Sequence, residues 1–207
     1  MKEALVELIG TFFLVLVVGL TVIQPGAGIL APLAIGAMLA VMVYAGGPVS
    51  GGHYNPAVTL AVWLRGKCAA AAVPWYMGAQ LLGAILAAAV VGYLKGGSPV
   101  MPMQPVAAQA LLAELLFTFA LAFVVLNVAT VKKTQGNAYF GLAIGLTVMA
   151  GAFAVGNISG AALNPAVAVG LTLMGLSAVS NLWIYLAGNL AGGVLAALAF
   201  RTISSKE

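Results

Sequence analysis

The 207-residue sequence has no aspartate, one cysteine (Cys68), one histidine (His53) and four glutamates, two of which, Glu3 and Glu207, lie near the ends. Each scarcity excludes something. A single cysteine forms no intrachain disulfide. One histidine without aspartate is too poor a donor set for a metal centre, and no metal or other cofactor is expected. The apolar segments hold no nucleophile–base pair and no phosphate-cradling glycine loop, which sets an enzyme aside. Charged residues make up only 6% of the chain, where a soluble domain carries about 25%. The net charge of +4 does not point to nucleic acid: only Lys132-Lys133 are adjacent, and no basic stripe is interleaved with aromatics.

What is abundant is apolar. Hydrophobic residues fill 63% of positions, and mean hydropathy is +1.14. A bilayer core of about 30 Å needs roughly 20 apolar residues per helix. Six segments meet or approach that length: 4–23, 31–47, 70–94, 106–130, 138–156 and 178–201. Breaks fall at Pro25 with Gly26 and Gly28, at Gly96-Gly97-Ser98-Pro99 and at Lys132 to Asn137. The first run lacks a convincing cleavage site, so no cleavable leader is expected. Two further stretches, 55–64 and 164–174, are too short to span. With six spans, Lys2, Arg65, Lys67, Lys132, Lys133, Arg201 and Lys206 share one side and Lys95 stands alone on the other. The positive-inside rule then puts both termini in the cytoplasm, in a multi-pass protein of the inner or plasma membrane.

The chain divides near residue 103 into two similar halves, about 1–103 and 104–207. Glu7-Leu8-Ile9-Gly10-Thr11-Phe12 echoes Glu114-Leu115-Leu116-Phe117-Thr118-Phe119; Ser50 to Val58 echoes Ser159 to Val167; Ala79 to Gly83 echoes Gly188 to Gly192. The offsets are 107, 109 and 109 residues. Each half holds three spans, so the second must enter the membrane from the opposite face. Short, Gly/Pro-flanked segments at matching positions of inverted halves point to a transport site. The expected fold is therefore an all-α membrane bundle of six transmembrane helices plus two re-entrant half-helices.

Each short segment begins Asn-Pro, as Asn55-Pro56-Ala57 and Asn164-Pro165-Ala166. Asparagine is a favoured N-cap and proline suits the first turn. Ten helical residues cover about 15 Å, half the hydrocarbon thickness, so two such helices from opposite faces meet at the midplane. There the two amides offer donors to a neutral solute, while the helix dipoles oppose a cation or a proton. Glu7 and Glu114 lie inside apolar spans and read either as coupling groups of an ion-driven transporter or as supports for the backbone entering each half-helix; their matched placement favours support. His53 reads as a loop-fixing partner. Gln80 and Asn189 read as interhelical polar contacts beside the small pairs Ala79/Gly83 and Gly188/Gly192.

Ser50-Gly51-Gly52-His53-Tyr54-Asn55-Pro56-Ala57-Val58-Thr59 and Ser159-Gly160-Ala161-Ala162-Leu163-Asn164-Pro165-Ala166 resemble the two signatures of the aquaporin, or major intrinsic protein, family. The resemblance covers nearly the whole chain. It implies a right-handed bundle, a homotetramer with one pore per subunit, and a second constriction formed by four side chains. Distance from the two motifs carries that constriction onto Ile35, Ala152, Ala161 and Val167. Water-selective members usually have an aromatic at the first position, a histidine at the second and an arginine after the second Asn-Pro-Ala. Glycerol facilitators keep the arginine. Here the arginine is replaced by Val167, as in a microbial subgroup associated with arsenicals.

Replacing arginine by valine removes bulk, five N–H donors and a fixed charge. The expected filter is wide and apolar, passing water, glycerol, urea and undissociated metalloid hydroxides such as arsenous acid. Two other readings stay open. A loop residue, Gln104 or Lys95, fills the gap and leaves a strictly water-selective pore; or Glu7 or Glu114 couples transport to ions.

Overall fold

In the computed structural model, residues 1–204 are described, so Lys206 and Glu207 lie outside the described residues. The described chain is built from α1 (Lys2–Val22), α2 (Ala31–Ser50), α3 (Pro56–Leu64), α4 (Val73–Leu94), α5 (Ala107–Ala129), α6 (Phe140–Ser159), α7 (Pro165–Leu173) and α8 (Leu182–Ile203). Six of these, all but α3 and α7, are long and apolar enough to cross a membrane. The all-α membrane architecture expected from the sequence is what the chain adopts. Among the described residues no strand forms; Met103 and Ser177 make one isolated parallel bridge.

Two helices run further than the apolar runs suggested. α2 continues past 47 through Pro48 to Ser50, and α6 continues past 156 to Ser159. Proline near a helix end costs one backbone bond instead of a whole turn, and Gly46-Gly47-Pro48 therefore does not break α2. Both helices stop at a glycine. Gly51 takes φ +91° and donates its N–H to Gly47 O at 2.9 Å; Gly160 takes φ +89° and donates to Gly156 O at 3.0 Å. Only glycine enters this left-handed cap without a Cβ penalty.

The elements of each half recur in the same order: two long helices, a short one, then a long one. The most extensive packing pairs α1 with α4, α5 with α8 and α2 with α6. Close approach follows from the small residues. A Cβ on Gly83 would sit 2.5 Å from Leu8 O of α1, and one on Gly192 would sit 2.6 Å from Leu115 O of α5. The short helices interlock the halves: α3 packs mainly on α8, and α7 mainly on α4. Val15, Val43, Val58, Leu121, Leu126 and Phe200 fill the interior. Outward faces carry apolar side chains such as Leu33, Leu142 and Leu198, each about half exposed, the arrangement expected when lipid is the outer solvent.

Gly83→Val should destabilise the bundle by about 1–3 kcal/mol, the usual penalty of overpacking, because the added atoms meet backbone that cannot swing aside. Gly78→Ala on the same helix, where a Cβ meets nothing within 4 Å, should be neutral or stabilising. Thermal unfolding in detergent measures both. Equal midpoints for the two variants would contradict the close approach of α1 and α4.

Candidate functional site: a lumen through the bundle

The two Asn-Pro-Ala segments meet tip to tip. Asn55 is extended (φ −156°, ψ 120°), and its Oδ1 accepts the N–H groups of Ala57 at 2.8 Å and Val58 at 3.4 Å. Asn164 does the same with Ala166 at 2.9 Å and Val167 at 3.5 Å. Each side-chain amide then reaches across the halves. Asn55 Nδ2 donates to Leu163 O at 2.8 Å, and Asn164 Nδ2 donates to Tyr54 O at 2.8 Å. The sequence had both NH₂ groups free to face a solute. In the structure one N–H of each ties the two half-helices together, and one remains.

Those crossed bonds need carbonyls turned in an unusual direction. Tyr54 (φ +49°) and Leu163 (φ +51°), each just before its asparagine, are left-handed, as are Gly52 (φ +62°) and Ala161 (φ +48°) two residues earlier. Side chains disfavour this region, so something must hold it. Two fully buried carboxyl groups do. Glu7 Oε1 accepts Ser50 Oγ (2.6 Å) and the His53 N–H (2.9 Å), while Oε2 accepts the Tyr54 N–H (2.6 Å) and Gln80 Nε2 (2.8 Å). Glu114 Oε1 accepts Ser159 Oγ (2.7 Å) and the Ala162 N–H (2.9 Å), and Oε2 accepts the Leu163 N–H (2.7 Å). Both serines are held from behind: Tyr76 OH donates to Ser50 O and Tyr185 OH to Ser159 O, each at 2.8 Å. The sequence reading missed these tyrosines, although their separation of 109 residues is the repeat offset.

The halves differ in polarity. His53 Nδ1 lies 3.1 Å from Thr59 Oγ1, which also accepts from Gln80 Nε2 at 2.9 Å. The matching positions in the second half are Ala162 and Ala168. Asn189, matched to Gln80, accepts from Thr118 Oγ1 at 3.0 Å.

Two cavities follow the bundle axis. The first, about 630 Å³, opens at the end carrying Lys95 and runs inward past Ile35, Ala152, Ala161 and Val167 to Asn55 and Asn164. The second, about 450 Å³, opens at the end carrying the termini and is lined by Lys67, Lys132 and Gln135 among others. Both are lined by His53 and Val125. Neither is lined by Glu7 or Glu114. Lys95 does not reach the first cavity either: its Nζ donates to Ile23 O at 2.7 Å and to Pro25 O. Gln104 is likewise absent from the lining, whereas its neighbours Met101 and Met103 are part of it. Among the described residues no cluster of three His, Cys, Asp or Glu side chains could hold a metal ion.

The family model described as Major intrinsic protein matches residues 1–200. The chain belongs to that family. Similar members include aquaporin NIP1-3 of Oryza sativa subsp. japonica, 38% identical over 98% of this chain and 73% of its own length. Glycerol uptake facilitator protein-like 6 of Lactiplantibacillus plantarum is also 38% identical, over the whole of both chains. Among solved structures, the aquaglyceroporin from Plasmodium falciparum superposes with a TM-score of 0.82 at 23% identity, covering 99% of this chain and 97% of that one. Major intrinsic proteins are channels, not enzymes; this one is a membrane channel for water and small solutes.

Removing the Glu7 carboxyl strands two backbone N–H groups, a hydroxyl and an amide, at about 1–3 kcal/mol for each buried group left unpaired. Glu7→Ala should therefore fail to give a stable channel in detergent, and Glu7→Gln should be less severe because one acceptor oxygen remains. A Glu7→Ala protein that unfolds at the native temperature would show that this carboxyl does not hold the loop.

Proposed function

We propose that this channel conducts water together with larger neutral solutes, namely glycerol, urea and undissociated metalloid hydroxides such as arsenous acid. The observation carrying this reading is that Ile35, Ala152, Ala161 and Val167 border one cavity with the paired asparagines, and none brings a charge or a hydrogen-bond donor. Arginine after the second Asn-Pro-Ala would narrow this passage and attract hydroxyl groups to a fixed cation. Valine does neither, so discrimination by width is relaxed. The full-length match to a relative named for glycerol uptake supports the same reading.

Exclusion of ions rests on the midplane in this proposal. α3 and α7 begin against each other at Asn55 and Asn164, whose amides cross to Leu163 O and Tyr54 O, and in this reading the N–H each amide keeps faces the passage. A cation there meets positive potential and loses hydration; a neutral hydroxyl accepts the donors and passes. We further infer a single channel domain of two inverted repeats, about 1–103 and 104–207. It acts as a homotetramer in the cell membrane with both termini cytoplasmic, supported by the basic residues at the terminal end and the apolar outer faces.

Stopped-flow light scattering on reconstituted vesicles tests the solute range. Vesicles should shrink under sucrose, and should shrink and then re-swell under glycerol, urea or arsenous acid. Shrinkage without re-swelling would leave a water-selective channel, and flux that follows a proton or sodium gradient would restore the transporter reading. Val167→Arg should lower the passage of the larger solutes more than that of water. An unchanged ratio would mean that position 167 is not at the constriction.

A further inference from the structure

We propose that Met103 is a specificity-determining residue of this channel, its thioether closing the side of the outer passage that Val167 leaves open. The inference rests on the wide-filter reading above and names the wall that reading lacks.

The segment Met101-Pro102-Met103-Gln104-Pro105 lies in the connection between α4 and α5. Its two prolines set their own φ and push Met101 and Gln104 towards extended backbone, so the strand-like course is written locally. Tertiary bonds then pin its centre. The Met103 N–H donates to Leu176 O at 3.0 Å, Met103 O accepts Asn181 Nδ2 at 3.3 Å, and Met103 bridges Ser177 in parallel register. Ser177 Oγ lies 3.2 Å from Tyr185 OH, the hydroxyl that donates to Ser159 O. Met103 is thereby tied, through the loop after α7, to the base of the 159–163 turn that carries Ala161.

Its side chain follows from that anchorage. Met103 is half-buried and lines the first cavity. Its Sδ lies 3.6 Å from where a Cβ on Gly160 would stand, an ordinary van der Waals distance that puts the thioether beside the residue preceding Ala161. Ala152, Ala161 and Val167 are all short, whereas Met103 brings a long side chain to the same cavity. An unbranched thioether adapts its shape at little cost and brings no N–H donor. It limits solute width without ranking solutes by hydrogen bonding, the reverse of what a guanidinium does at such a place.

Vesicles carrying Met103→Ala should pass a five-carbon polyol such as xylitol severalfold faster relative to water than the native channel. Met103→Leu, of similar volume, should keep the native ratio. An unchanged ratio in Met103→Ala with water flux retained overturns the proposal. A second arm covers poor folding of that variant: Met103→Cys in a Cys68→Ser background, exposed to a membrane-impermeant cationic thiol reagent on the Lys95 side. Labelling that blocks water flux supports a place in the wall; labelling without block, or a conducting channel that does not label, overturns it. A native channel that passes water alone would sink the broad-solute reading while the thiol arm still judged Met103. Native glycerol passage with no effect of Met103→Ala would sink this inference alone.

Discussion

In hydrocarbon, backbone N–H and C=O groups must be satisfied by the protein itself, and inside the bundle this chain has two helix beginnings with irregular backbone leading into each. The constraint is met by a closed set of bonds. Glu7 and Glu114 take up the N–H groups ahead of each half-helix. Asn55 and Asn164 cap the first turns and then cross over to the carbonyls of Leu163 and Tyr54. Most of the remaining architecture, from the left-handed residues to the small-residue seams, serves to bring those groups within reach.

The same set of bonds holds the meeting point of the two half-helices rigid. Each amide uses its oxygen to cap its own half-helix and one N–H to join the halves. Fixed dipoles of this kind need no rearrangement as a solute passes. The carboxyl groups line neither cavity and accept the N–H groups of the turns ahead of each half-helix. This separation between a buried support and a bare lumen also accounts for the placement of His53, which joins the support through Thr59 while bordering both cavities.

Much of this was legible in the sequence because its physical cause is local or periodic. Span number follows from apolar run length, and the half-helices from runs too short to cross. Matched motifs followed from an offset near 109 residues. Helix ends were less legible: α2 and α6 outran their apolar segments because Pro48 and the glycines near each end are tolerated there, and the stop is set by the caps at Gly51 and Gly160. Tyr76 and Tyr185 could have been found from the offset but carry no motif of their own.

The sequence by itself determined the class of device: six spans, two Asn-Pro half-helices, two matched carboxyl groups, and alanine or valine at positions 152, 161 and 167. Those features depend on neighbours within a turn or on a constant spacing. Only the tertiary structure decided which N–H of each asparagine is committed, that the carboxyl groups lie outside the lumen, and that Lys95 binds the carbonyls of Ile23 and Pro25. It also decided that Met103, and not Gln104, lines the passage. Each is a contact between residues about 40 to 110 positions apart, or the facing of a loop between two helices, and neither hydropathy nor spacing encodes such a direction.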